Sequence, residues 1–251
     1  MPLSLFNHAR AGSAPFPYTL KVSLRAKRAR LKMTPHGGLV VVVPAGYDKK
    51  KVPSLLLRYE AWIKRAAAHL DAQRQEPVPV QENGLPHSIA FPCFSEVWTV
   101  GYNQTGSGKA ELEERAENTL LVSGDIADAS LCRRLLCSWL KHRAEALLIP
   151  SLESLSSARD FTCSRVAVRL QHSRWGSCST RGTITLNSKL LFLPEELIRY
   201  IMVHELCHTV HMNHSRAFWD LVSRHEPLWR TSNREMKSAW KYVPQWVSVQ
   251  P

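Results

Sequence analysis

Apolar residues along this chain recur with two different periods, and the switches between them mark out its elements. Alternation runs through Tyr18 to Leu24, Arg28 to Met33 and Leu39 to Val43, the last two flanking the turn Pro35-His36-Gly37-Gly38. A period of two around a Pro-Gly turn predicts a β-hairpin with a third strand. Pro44 closes the run, and Val52 to Leu70 carries Leu55, Leu56, Tyr59, Trp62, Ile63 and Ala66 at helical spacing, a helix that would cover a small sheet. The polar, Pro-containing stretch Asp71 to Pro86 reads as a connector.

Strands follow at Glu96 to Tyr102 and Thr119 to Val122, with the Gly- and charge-rich Asn103 to Asn118 between them as a turn or exposed loop. Asp128 to Leu148 repeats Leu131, Leu135, Leu136, Trp139, Leu140 and Leu147 with helical period; this helix is expected to end near Pro150, with a second helical stretch before Asp160. Thr162 to Leu170 and Thr183 to Asn187 read as strands around Arg174 to Cys178. Helices are then expected through Leu197 to Met202, after Ser215 and from Trp229 to Tyr242. The fold class is α+β. Residues 1–17 form a leader, 18–86 a basic β-rich module with its helix and connector, and 87–251 a second, larger domain.

Composition sharpens this division. With 44% apolar residues the chain can bury a core, which excludes disorder throughout. Met1 to Tyr18 lacks the apolar run of a signal peptide, and no stretch reaches the ~18 apolar residues of a transmembrane helix. The expected setting is a soluble, cytoplasmic protein with no membrane partner. Cysteines at 93, 132, 137, 163, 178 and 207 include no C-x-x-C pair, against both a disulfide framework and a cysteine metal site. Residues 1–70 hold 13 Lys or Arg against Asp48 and Glu60, a net +11 out of the chain's +12. The positive field therefore belongs to the N-terminal module. Lys21, Arg25, Lys27, Arg28, Arg30 and Lys32 are its candidate nucleic-acid contacts, and strand alternation would set Arg28, Arg30 and Lys32 in one stripe.

The most specific signal is His204-Glu205-Leu206-Cys207-His208, an H-E-x-x-H within a helical pattern. Positions i and i+4 lie one turn apart on one helix face, so two imidazoles can reach one metal while the intervening glutamate points at its open position. A catalytic zinc site needs a third protein ligand. His211, His214, His225, Glu226 and Glu235 are the candidates. His211 is about 10 Å along the helix from His204 and would converge poorly. His214 fits better, because Asn213 can adopt the left-handed conformation that turns the chain back; a glutamate from the next helix is its rival. The expected cofactor is one zinc ion per chain, with Glu205 as the base that activates water. Arg174, Tyr200, Arg216 and backbone amides are candidate oxyanion donors.

Arg174-Trp-Gly-Ser-Cys-Ser179, Ile184-Thr-Leu-Asn187, Tyr200-Ile-Met-Val-His-Glu-Leu-Cys-His208 and Met212-Asn-His-Ser-Arg-Ala-Phe-Trp219 together resemble the YgjP-like metallopeptidase family, related to the SprT-like zinc proteases. The resemblance extends from Tyr18 to about Trp240. It implies a zincin-like catalytic domain with ligands His204, His208 and His214, and it implies an edge strand beside the cleft, where Arg174, Trp175, Gly176 and Ser177 are candidates for the substrate rim. A zinc peptidase acting on peptides or proteins, localised on DNA or RNA by the basic module, is the leading expectation. The runner-up is a metal-dependent pyrimidine nucleoside triphosphate pyrophosphatase, although no P-loop and no carboxylate cluster suited to magnesium is visible. A third reading is a nucleic-acid-binding module with structural zinc.

Overall fold

Val40 to Val43 can form a central strand because every second side chain has a core to enter. The computed structural model describes residues 16–34, 38–72, 84–106 and 109–248; the leader up to residue 15, the turn at 35–37 and most of the connector lie outside these. The chain divides into two compact units, Met1–Glu76 and Pro77–Pro251.

In the first unit β1 (Thr19–Ser23), β2 (Arg30–Thr34) and β3 (Gly38–Pro44) form a sheet of order β1-β3-β2, with β1 parallel and β2 antiparallel to β3. Leu39, Val41 and Val43 are buried with Val52, Leu56 and Ile63 from the helices that follow. Those helices are α1 (Val52–Arg58) and α2 (Glu60–Ala72). The single helix expected over Val52 to Leu70 is thus interrupted at Tyr59, whose backbone (φ −105°, ψ 15°) leaves the helical range. Arg28 also departs from expectation: it precedes β2, so the strand stripe contains Arg30 and Lys32 but not Arg28.

The second unit has two sheets. The first joins β4 (Ser88–Phe91), β5 (Glu96–Gln104), β6 (Glu111–Arg115) and β7 (Thr119–Gly124) in the order β4-β5-β7-β6. β6 lies inside the stretch read from sequence as a loop. Its sequence Glu-Leu-Glu-Glu-Arg offers only Leu112 to the core, and as an edge strand it can carry charge on every other position.

α3 (Ala129–Ala158) spans 30 residues and continues through Pro150, where its end was expected. A proline costs the helix a hydrogen bond to residue i−4, here Ala146. Both residues are exposed, so water can serve that carbonyl, while Leu148 and Leu152 on the opposite face are fully buried and hold the helix in place. The last sheet, order β8-β10-β9, contains β8 (Arg165–Arg169), β9 (Gly176–Cys178) and β10 (Thr183–Asn187). It leads into α4 (Glu195–Cys207), followed by α5 (Arg216–His225), α6 (Trp229–Glu235) and a short α7 (Gln245–Ser248). The expected helix from Trp229 to Tyr242 is broken after Glu235, and Ala239–Tyr242 is a separate 3-10 turn.

β5 and α3 are tied by a part-buried ion pair. Arg143 Nε donates to Glu96 Oε2 at 2.8 Å, a second Arg143 nitrogen reaches Oε1, and Trp98 Nε1 donates to Oε2 at 2.9 Å. Burial alone would raise the Glu96 carboxyl, but these hydrogen bonds outweigh it and hold it below its ordinary value. A group lowered in this way stabilises the fold above its unfolded pKa and loses that contribution as pH falls through its folded value. Arg143→Met is therefore expected to cost about 2 kcal/mol at neutral pH. In denaturant titrations the difference from wild type should shrink below about pH 4.

Candidate metal centre

α4 is placed by its apolar face: Leu197, Ile198, Ile201, Met202, Val203 and Leu206 are all buried in the core. This fixes the azimuth of His204 and of the C-cap His208, one turn apart at the helix end. The helix stops at His208, and the Thr209 hydroxyl and the His211 amide donate to the carbonyls of Leu206 and Cys207. Turning here returns the His211 carbonyl to within 2.9 Å of His208 Nδ1. A carbonyl only accepts, so Nδ1 carries the proton and Nε2 presents its lone pair, the outer-shell arrangement usual for a ligating histidine.

The chain then brings His214 back over the helix. Asn213 was expected in the left-handed conformation, but it is absent from the positive-φ residues; its side-chain oxygen instead accepts from the Ser215 amide at 3.3 Å and makes the turn that way. Ser215 next caps α5, its hydroxyl accepting from the Phe218 amide. The nearest ligand nitrogens of His204, His208 and His214 all lie within 4.8 Å of one another, with Nε2 of His204 and His214 3.1 Å apart. Beneath them Phe218, fully buried, touches all three rings at centroid distances of 5.0, 4.4 and 4.9 Å. Trp219 stacks on His214 and in turn on Trp229. Sequence periodicity places Phe218 and Trp219 on a helix that packs beneath the metal helix; what it does not give is their direct contact with the three imidazoles.

Electrostatics favour the ligand form. Burial, reinforced by the neighbouring imidazoles, pushes His204 down to about 3, and burial also lowers His208 against the pull of the His211 carbonyl. Neutral imidazoles with converging lone pairs suit a zinc ion, and this donor set fits one. Glu205 is only 5% exposed, and its Oε2 has no hydrogen-bond partner among the described residues. Burial raises its carboxyl to about 8, with Arg174 pulling the other way.

β9 lies beside α4 and forms the edge of its sheet, pairing antiparallel with β10 through Gly176↔Leu186, Ser177↔Thr185 and Cys178↔Ile184. A Cβ on Gly176 would sit 2.7 Å from Glu205 Cγ and Oε1, so the strand backbone lies directly against the carboxylate. Asn187, fully buried and missed by sequence reasoning, anchors this region. Its side chain donates to the carbonyls of Gln171 and Arg174 and accepts from the amides of Gln171 and Lys189, fixing the loop that leads into β9.

The remaining candidates are dispersed. Arg174 is exposed, whereas Trp175 is 9% exposed and stacked on Trp240 at 4.1 Å, so its ring belongs to the core and not to a rim. Tyr200 is buried against His204, and Arg216 is 96% exposed near Asp220. Glu226, a candidate third ligand, is buried and bound by Arg199 at 2.9 Å; Glu235 accepts from the Tyr242 hydroxyl; His225 packs on Phe161. None of these three joins His204, His208 and His214, the one group of metal-ligating side chains found among the described residues.

No curated protein matches the chain. Among solved structures it is similar to the metallopeptidase zymogen of Pyrococcus abyssi abylysin, with 28% identity over 37% of this chain and 94% of that one at a TM-score of 0.33. It is similar also to the metallopeptidase zymogen of Methanocaldococcus jannaschii jannalysin, with 19% identity over 36% and 94% of the two chains at a TM-score of 0.32. The model of the YgjP-like metallopeptidase domain matches residues 27–239, a span that holds the three histidines, Glu205 and β9. The chain belongs to the YgjP-like metallopeptidase family and is a zinc metallohydrolase.

Proposed function

We propose that this protein hydrolyses peptide bonds at a site of zincin type in which His204, His208 and His214 hold one zinc ion and Glu205 is the general base. The observation that carries the reading is the convergence of three imidazoles beside a buried carboxylate with an unengaged oxygen. When bound, zinc supplies a Lewis acid that polarises a carbonyl and makes water more acidic. The chain's own residues supply the rest. Glu205 in its ionised form takes a proton from the attacking water and returns it to the leaving nitrogen. The outer edge of β9 has main-chain groups with which an extended peptide can pair, and Gly176 lets that backbone approach Glu205. Gly176 and Ser177 are thus the rim residues of this reading, with Arg174 the exposed cation whose charge reaches Glu205.

The test is elemental analysis paired with a peptide-library digest. Wild type is expected to hold about one zinc per chain and to cleave. His208→Ala and His214→Ala should lose the metal and the cleavage together. A wild-type protein that takes up no zinc under zinc-replete conditions would overturn the site.

Lys21, Arg25, Lys27, Arg28, Arg30 and Lys32 are all exposed, and among the described residues none has a carboxylate partner. Phosphodiester backbones satisfy such unpaired cations, so this unit is read as holding the enzyme on nucleic acid. No helix among the described residues is long and apolar enough to cross a membrane.

A further inference from the structure

The first unit carries a cavity as well as charge. About 420 Å³ in volume, it is lined by Ala29, Arg30 and Leu31 at the start of β2 and by Leu55, Tyr59 and Trp62 from the helical side. That size lies in the range of small-ligand sites. β2 is an edge strand, so the cavity opens along the border of the sheet and not within its core. Tyr59 interrupts the helix and Trp62 follows three residues later, which sets both rings on one helix side. Ile63 turns inward to the core, whereas Tyr59 is 46% and Trp62 37% exposed. Among the described residues neither ring stacks on another aromatic. Two large rings are thus held partly in solvent at the cavity wall.

The surroundings state the occupant's charge. In the sheet register Lys21 and Arg30 both pair with Val42, and Lys32 pairs with Val40. Residues in one cross-strand row share a face, so these three cations stand on the face away from α1 and α2, and β2 at the sheet edge is where that face meets the cavity. Arg30 belongs to both features, being part of the cationic row and of the cavity wall. A polyanion with flat apolar groups at regular intervals satisfies both. An acidic peptide would match the charge but leave the aromatic pair unused, and a duplex keeps its bases stacked on one another and out of reach.

We propose that this groove seats unpaired bases of a single-stranded nucleic acid, stacked on Tyr59 and Trp62, with its phosphates passing around the edge strand β2 toward Arg30 and Lys32. The proposal rests on the reading of the basic unit as a nucleic-acid-binding surface and assigns that surface a strand state and stacking residues. Combined stacking and backbone contact is the usual means of sequence-tolerant single-strand binding.

The experiment is fluorescence anisotropy of the full chain with a labelled oligothymidylate of about twelve nucleotides, a duplex of equal length and a polyglutamate peptide, across a salt series. The oligothymidylate is expected to bind most tightly. Tyr59→Ala and Trp62→Ala should each weaken it about tenfold without changing the salt slope, and Trp62→Phe should recover most of the loss. Lys32→Gln should instead make the slope shallower. Both aromatic positions are half exposed, so melting curves of these variants should match wild type. Unchanged affinity in the two alanine variants, with a loss in the lysine variant, would overturn the groove and leave a purely electrostatic nucleic-acid surface. No binding of either nucleic acid at low salt would overturn the surface as well. Tighter binding of polyglutamate, lost on Trp62→Ala, would assign the groove to an acidic peptide and overturn the proposal.

Discussion

Glu205→Gln is expected to lower peptide hydrolysis by about three orders of magnitude while the protein keeps its zinc and its fold. General-base catalysis contributes roughly 10²–10⁴ in rate, and an amide of the same shape cannot accept the proton. The three histidines do not depend on this side chain for their placement: His208 is oriented by the His211 carbonyl, and all three rings rest on Phe218. Glu205 is buried with one oxygen unpartnered, which costs stability in the ionised form. The variant should therefore melt at the wild-type temperature or slightly above it, a sign that the residue is retained for chemistry and not for folding. Elemental analysis, a melting curve and kcat on one cleaved peptide decide the matter. A variant that keeps zinc and retains more than about a tenth of wild-type kcat would remove Glu205 from the mechanism.

The same contrast between folding and chemistry explains what could be read from the amino-acid order. The i, i+4 spacing of His204 and His208 is a property of one helix, and the apolar residues that aim this helix are periodic, so this half of the centre was visible locally. His214 followed from chain length and a turn-forming neighbour, although the turn uses the Asn213 side chain and not a left-handed backbone. What stayed hidden depends on contacts distant in sequence. Asn187 looks like an ordinary strand end until the loop at 171–174 is folded onto it. Phe218 reads as packing beneath the metal helix, but its contact with all three imidazoles needs the turn that brings His214 back. β6 and the passage of α3 through Pro150 were misread for a related reason. Periodicity reports which side chains can enter a core, whereas an edge strand of charges and an exposed proline are tolerated because of what surrounds them. The division into a basic and a near-neutral part was plain in composition, because charge needs no fold to be counted.

Gly176→Ala is a sharper probe of the centre, since it alters no group with chemistry of its own. The glycine is not needed for its backbone, as its φ lies outside the positive range, so alanine meets no conformational penalty in β9. What the substitution meets is Glu205: a Cβ would come 2.7 Å from both Cγ and Oε1, closer than two such atoms can approach. Either β9 retreats from α4 or the carboxylate swings away, and α4 itself is fixed by its buried face. Glu205 is packed from all sides, so the carboxylate cannot move without losing its place beside the histidines. A displacement of about 1 Å in a reacting group can cost 10²-fold in rate, and a loss of about that size in kcat is expected. Zinc content should stay at the wild-type level because no histidine is touched. Combining Gly176→Ala with Glu205→Gln separates the two routes to that loss. If the alanine acts through the carboxylate, the double variant is no slower than Glu205→Gln alone, since residues acting as a unit are not additive. If instead the losses multiply, β9 contributes to substrate pairing independently of Glu205, and the glycine's closeness to the base is incidental to catalysis.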